Sequence, residues 1–279
     1  MILPVRIFLA GATGAIGRAL VPLLVSAGHD VAGTTRFPPK AAQIQSLGAR
    51  PVVLDVFDRD AVFASIRAER PDAIIHQLTD LSAFDLAANA RLRVTGTRNL
   101  VDAALVAGVH RVVAQSLAFV YAPGSDLARE EDPIDDVAGV PALEAAVGEV
   151  SEGVILRYGS LYGPGTWYAR DGLFADRVHR RELVATDGVT SFTHVADAAR
   201  AALLALDWPD GTVNVVDDEP AAGKVWLPDY AAILGAPPPP VQDGSAPRER
   251  GASNAKARNL LGWEPLYATW RNGFRAALG

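Results

Sequence analysis

A chain of 279 residues with 49% hydrophobic and 21% charged side chains holds enough apolar material for one large core or two cooperating lobes. Its formal charge of −6 and pI near 5.4 leave no basic surface for nucleic acid or anionic lipid, so neither is expected as a partner. There is no cysteine, which excludes disulfides, thiol catalysis and thiolate metal sites. No stretch is apolar enough to span a bilayer and the first strand begins at Val5, so the expected location is the cytoplasm.

In chain order, the apolar run VRIFLA at 5–10 reads as a strand, followed by GATGAIG at 11–17 and a helix over about Ala15 to Ala27. Ile16, Leu20, Leu23 and Leu24 form its buried stripe and Gly28 ends it. Further strands are expected at DVAGTT (30–35), RPVVLD (50–55), DAIIHQ (72–77), RVVAQS (111–116), GVILRY (153–158) and TVNVVD (212–217), with a long helix from about Ala83 to Ala107. Strands alternating with alanine-rich helices predict an α/β fold, a doubly wound parallel sheet of about seven strands. After Gly159 the rhythm changes: YGPGTWYARDG at 162–172, the PPPP run at 237–240 and Trp226, Trp263 and Trp270 read as a smaller C-terminal α/β lobe. The expected division is 1–160 plus about 193–217 for a dinucleotide-binding domain, and about 161–192 plus 218–279 for a substrate lobe.

A strand that runs into glycines and then a helix sets backbone N–H groups and the positive helix end against a phosphate. Gly11, Gly14 and Gly17 fit that cradle, since absent Cβ atoms let a pyrophosphate approach. At the end of the second strand, where a carboxylate would hold the ribose of NAD, the chain has TTR at 34–36 and then Lys40. Arg36 suits a 2′-phosphate, so NADP is the expected cofactor, with NAD the alternative. Asp55 reads either as a partner of the adenine amino group or as a helix cap.

GATGAIG, LDVFD at 54–58, VTGTRNLVDAALVAGVHRVVAQS at 94–116, LRYGSLYGPGT at 156–166, SFTHVADAARA at 191–201 and LGWEP at 261–265 together resemble the short-chain dehydrogenase/reductase superfamily. The likeness is to its extended and atypical branch of NAD-dependent epimerases and dehydratases. It implies a Rossmann sheet, a nicotinamide dinucleotide across the strand ends, a small-molecule substrate under the C-terminal lobe and, as is common in such proteins, a homodimer. It also implies cofactor contacts from Gly11, Thr13, Gly14, Ala15, Ile16, Gly17, Arg36, Asp55, Val56, Leu78, Thr79 and Tyr158. On the loop after the sixth strand, Tyr162, Trp167 and Tyr168 fall where the family contacts substrate.

The resemblance breaks at the proton-transfer machinery. The family pairs a tyrosine with a lysine four residues on, the lysine lowering the phenol pKa. Here the tyrosines at 121, 158, 162, 168, 230 and 267 are followed four residues on by Ser125, Tyr162, Thr166, Gly172, Leu234 and Arg271. No Tyr-x-x-x-Lys exists, and no lysine lies between Lys40 and Lys224. The asparagine of the family's Asn-x-x-Gly-Thr is Arg93.

Substitute candidates are Ser116 and Tyr121 as catalytic residues, Ser116 lying one position before the family's serine place at Leu117. Glu144 and Glu149 lie on the helix that should carry the missing pair, and either serves as acid or base only if desolvated. His194 and Asp197 admit a dyad but more simply cap and position the chain, and no cluster has metal-ligand spacing. The expected function is an NADP-dependent oxidoreductase acting on a small organic substrate with non-standard proton transfer. A non-redox isomerase, cyclase or lyase and an NADP-sensing regulatory protein stay open beside it.

Overall fold

The computed structural model describes residues 4–79, 85–246 and 248–279. Its elements begin with β1 (Arg6–Ala10), α1 (Ala15–Ser26), β2 (Asp30–Thr35), α2 (Ala41–Ser46), β3 (Arg50–Val53), α3 (Arg59–Glu69) and β4 (Ala73–His76). After the undescribed residues come α4 (Leu86–Arg91), a π-turn over Leu92–Gly96, α5 (Thr97–Ala107), β5 (Arg111–Leu117), α6 (Val140–Val147) and β6 (Glu152–Tyr158). The remainder comprises β7 (Ser160–Tyr162), α7 (Leu173–His179), β8 (Val189–Thr190), β9 (Phe192–His194), α8 (Val195–Leu204), β10 (Gly211–Val215), β11 (Ala221–Ala222), α9 (Gly223–Leu234), α10 (Ala255–Asn259) and α11 (Trp270–Leu278).

The seven strands expected from the sequence form one doubly wound sheet in the order β10-β6-β5-β4-β1-β2-β3. Pairing is parallel from β5 through β4, β1 and β2 to β3. Phe8 and Ile74 are neighbours in that register and both are fully buried, which is why such strands read as continuous apolar runs. The order reverses beside β1, the position where open α/β sheets bind ligands at their carboxyl ends.

Local chemistry sets the helix limits. Asp58 caps α3 by accepting the Ala61 N–H at 3.0 Å, and the helix stops at Arg70, whose left-handed φ of 45° precedes Pro71. The long helix expected from about Ala83 starts at Leu86 among the described residues and is interrupted by the π-turn at 92–96; residues 83 and 84 lie outside them. Gly108, with φ 71°, closes it.

Two compact units partition the chain. The first comprises Met1–Ser116, Asp136–Leu156 and Ala199–Thr212; its core includes Phe8, Ile74, Leu100, Val101, Val112 and Val147. The second comprises Leu117–Asp135, Arg157–Ala198 and Val213–Gly279, and its core is aromatic. There Phe192 meets Trp226 at 5.2 Å, Phe274 at 5.3 Å and Tyr168 at 5.6 Å between ring centroids. Each such edge contact adds about 0.5–1.5 kcal/mol to the burial of the rings.

Asp217 is packed into this second unit, 3% exposed, with no donor in hydrogen-bonding geometry to either carboxylate oxygen among the described residues. Burial pushes its carboxyl up to about 8, against a partial pull from the backbone N–H groups of Trp270, Glu219 and Phe192. The folded chain therefore retains a proton there that the unfolded chain releases near the ordinary carboxylate value of 3.8. Stability from this group is full below that value and is lost as pH rises through about 8. Asp217→Asn is expected to raise the thermal midpoint relative to the parent chain, by a margin that grows between about pH 5 and pH 9. A margin that stays constant or shrinks over this range would show that Asp217 is ionised in the folded chain.

Candidate functional site

Within the first unit, Gly11 turns the chain out of β1 with φ +97°, and a Cβ there would lie 2.8 Å from the Gln77 carbonyl oxygen. At Gly17 a Cβ would come within 2.2 Å of the Gly11 carbonyl oxygen and 2.7 Å of the Ala12 carbonyl carbon. These two glycines let α1 sit directly on the turn. Gly14 differs: its Cβ position has only the Gly11 oxygen nearby, at 3.4 Å, and its surface is exposed. It precedes α1 in an extended conformation with no side-chain cap and no acidic residue in the first turn. Thr13 is half-buried, Ala15 opens the helix and Ile16 anchors it in the core at 4% exposure. An uncapped helix end beneath an open glycine is the arrangement that takes a pyrophosphate.

Beside it, the end of β2 is held by hydroxyls. Thr34 Oγ1 accepts the Gly11 N–H at 3.2 Å and Thr35 Oγ1 accepts the Phe37 N–H at 3.2 Å. Arg36 and Lys40 both pack on the Phe37 ring, at 4.8 and 5.2 Å from its centroid, so two cations share one exposed platform. No carboxylate stands at this strand end from Thr34 to Lys40. After β3, Asp55 is exposed and its Oδ1 accepts the Phe57 N–H at 2.9 Å. The cap of α3 is Asp58, so the capping alternative for Asp55 is settled against it. Val56 is buried and its carbonyl accepts from Asn99 Nδ2 at 2.9 Å.

At the end of β4, His76 Nδ1 accepts the Leu78 N–H at 3.2 Å and its Nε2 lies 2.9 Å from Thr97 Oγ1. Burial, helped by the charge of Arg93, pushes the imidazole down to about 4, so it is neutral and its Nε2 proton faces Thr97. Gln115 Nε2 donates to the Leu78 carbonyl at 2.7 Å, while Thr79 is exposed. Ser116, at 2% exposure on β5, donates from Oγ to Glu144 Oε1 on α6 at 2.6 Å. This Ser–Glu pair lies on the strand and helix where the resemblance places serine, tyrosine and lysine. The residue type alone had singled out Glu144 and Glu149 equally; the structure separates them, because Glu149 is committed to Arg98 at 2.6 Å.

The second unit holds the remaining candidates and gives most of them structural work. The Tyr121 hydroxyl donates to Asn214 Oδ1 at 2.6 Å, its ring is 1% exposed, and the Arg157 guanidinium lies 4.8 Å over it. Asn214 in turn donates to the carbonyls of Ala128 and Ser253, so the phenol anchors a network of backbone groups. Burial pushes Tyr121 up to about 12, away from the range of a useful proton donor. Tyr158 donates to the Ala198 carbonyl at 3.2 Å and is 1% exposed.

The substrate expectation for Tyr162 and Tyr168 needs correction. Tyr162 is fully buried with its ring 4.9 Å from Phe274, and Tyr168 is 8% exposed with its ring 4.7 Å from Phe174. They are core aromatics, whereas Trp167 is half-buried against Phe174 at 5.6 Å. His194 and Asp197 do not form a dyad through the nitrogen nearest the helix: His194 Nδ1 accepts the Ala196 N–H, and Asp197 accepts the N–H groups of Leu266 and Tyr267. No group of metal-ligating side chains occurs among the described residues.

The glycine turn, the open helix end and the reversal of strand order beside β1 decide the kinship. A family model, NAD dependent epimerase/dehydratase family, matches residues 7–216. The chain belongs to this family. A curated Streptomyces protein, "3-diazoavenalumate denitrifying reductase", is 43% identical over 96% of this chain and 98% of its own. A Stigmatella aurantiaca protein, "4-hydroxy-2-methyl-3-oxo-4-farnesyl-3,4-dihydroquinoline-1-oxide ketoreductase", is 30% identical over 76% of this chain and 68% of its own. Among solved structures, the Thermus thermophilus UDP-glucose 4-epimerase in complex with NAD shares 25% identity, with a TM-score of 0.79 over 98% of this chain and 97% of that one. Both curated relatives are named as reductases, and this chain carries the family's glycine turn without a Tyr-x-x-x-Lys.

Tyr121→Phe removes the donor to Asn214 and is expected to cost roughly 1–3 kcal/mol of stability. A lowered urea midpoint with turnover retained would establish the structural tie, whereas abolished turnover at unchanged midpoint would make the phenol catalytic.

Proposed function

We propose that the chain is an NADP(H)-dependent reductase whose substrate accepts hydride without needing a proton from a protein phenol, with a diazo compound as the best-matched class. Residues 1–160 with about 193–217 form the cofactor domain of this reading, and about 161–192 with 218–279 the substrate lobe. The observation that carries it is the Ser116–Glu144 pair, a hydroxyl donating to a carboxylate where carbonyl reduction calls for an acid. The full-length relative named as a denitrifying reductase of a diazo compound supports the same direction.

Gly11, Thr13, Gly14, Ala15, Ile16 and Gly17 would hold the pyrophosphate side, Arg36 with Lys40 the 2′-phosphate, and Asp55, Val56, Leu78 and Thr79 the remaining cofactor edges, whereas Tyr158 is buried with its hydroxyl committed to the Ala198 carbonyl. When bound, the dinucleotide supplies hydride; an aryl diazonium cation that takes it becomes the arene and releases dinitrogen, consuming no proton. Glu144 holds the Ser116 hydroxyl in one orientation, and His76 stays neutral beneath the strand ends. Trp167, half-buried, is the member of the aromatic loop left to border a substrate. The reading places the protein in the cytoplasm as a homodimer paired through residues 86–107, where Val94, Leu105 and Val106 are exposed.

With an aryl diazonium salt, NADPH consumption and dinitrogen release are expected in equal amounts and well above the enzyme-free rate. Product formed at constant nicotinamide absorbance would instead establish the non-redox alternative, and tight NADP binding with no turnover the sensing one. Arg36→Ala is expected to weaken NADP+ binding by about tenfold or more, the scale of one lost charge-assisted contact, and to leave NAD+ binding unchanged. Equal NADP+ affinity in parent and variant would refute the choice of cofactor.

A further inference from the structure

Arg93, in the π-turn, replaces the asparagine of the family pattern and is 8% exposed. A guanidinium has five N–H donors and cannot be neutralised in a protein. Among the described residues this one makes a single hydrogen bond, Nη1 to the Ala138 carbonyl at 3.1 Å, and no carboxylate pairs with it. Burial shifts its pKa downward, and among the described residues no acidic neighbour holds it up. A buried cation with one neutral acceptor among the described residues is a costly arrangement unless something negative joins it.

The surroundings make the placement deliberate. Ala138 and Gly139 are both left-handed, with φ 50° and 74°, and a Cβ on Gly139 would lie 2.9 Å from the Ala90 carbonyl oxygen. This strained corner aims the Ala138 carbonyl at the guanidinium. Arg93 also depresses the His76 imidazole at the carboxyl end of β4, so its charge is felt on the side of the sheet where such folds bind ligands. π-turns inside helices are frequent at functional sites.

We infer that Arg93 is a substrate-binding residue that pairs, bidentately, with the carboxylate of an organic anion. The inference rests on the NADP(H)-reductase reading, because the charges of the dinucleotide already have their own partners: the pyrophosphate at the open start of α1 and the 2′-phosphate at Arg36 and Lys40. Arg93 is then left for a second anion, and its planar fork matches a carboxylate. The substrate class becomes a small carboxylic acid bearing the reducible group.

The test compares benzoate with benzamide, nearly identical in shape and different in charge, by titration calorimetry with and without saturating NADP+. Benzoate is expected to bind about tenfold tighter than benzamide, equivalent to ~1.4 kcal/mol. Arg93→Gln is expected to abolish that preference while NADP+ affinity stays at the parent value, and Arg93→Lys, which preserves the charge should the glutamine variant fail to fold, to reduce it. Equal binding of acid and amide by the parent chain, no measurable benzoate binding, or a preference that survives in both variants overturns the proposal. So does a fall in NADP+ affinity in the variants, which would make the cofactor the anion. Loss of NADP+ binding by the parent chain with the benzoate preference intact would count against the cofactor reading and leave Arg93 as a carboxylate site.

Discussion

The close approach of α1 to the turn that follows β1 is the constraint on which the first unit depends. Neither a side chain at Gly11 nor one at Gly17 has room, so the helix start is pressed against the strand end by the absence of two Cβ atoms. With the helix in that place, its first N–H groups are left uncapped beneath Gly14, where a side chain would meet little. The same seating brings the end of β2 alongside, where Thr34 ties the strand to the turn. The packing of α1 and its uncapped start are thus consequences of one steric fact.

Around that cradle the polar groups are arranged by burial. His76 is neutral because desolvation disfavours its charge, and its hydrogen bonds join the end of β4 to the start of α5. Ser116 and Glu144 form a short contact between β5 and α6 that has the opposite electrostatic sense to a phenol beside a lysine. A cation near a phenol makes it a stronger acid, whereas a carboxylate beside a hydroxyl makes it a better acceptor and orients it. The glycine turn of the family persists, while its Tyr-x-x-x-Lys is absent and a hydroxyl–carboxylate pair joins β5 to α6.

The second unit shows how one residue signal can carry two meanings. Aromatics on the glycine-rich loop at 162–172 are expected equally of a ligand wall and of a loop anchor, because both need flat apolar faces at a chain reversal. Tyr162 and Tyr168 turn inward onto Phe192 and Phe274, and that contact is made by α11 from the end of the chain, far away in sequence. Likewise Tyr121, a catalytic candidate in the sequence, finds Asn214 on β10 and becomes a tie. Asp197 supports the tail by accepting two backbone N–H groups from residues 266 and 267.

Local patterning was enough to define the sheet and the cradle. Alternation of β-branched runs with alanine-rich helices placed seven strands to within a residue or two, and glycine spacing located the turn, because these signals are local and steric. The residue order also established that Tyr-x-x-x-Lys is absent, a fact that needs no coordinates. The capping role of Asp58, the choice of Glu144 over Glu149, the π-turn that carries Arg93 and the burial of Tyr121, Tyr162 and Tyr168 emerged only once the chain was folded. Each of these depends on which distant backbone or side chain faces the residue in space. A residue type records what a group is able to do, and only its neighbours in the fold set the desolvation, the hydrogen-bond partner and the charge that decide what it does.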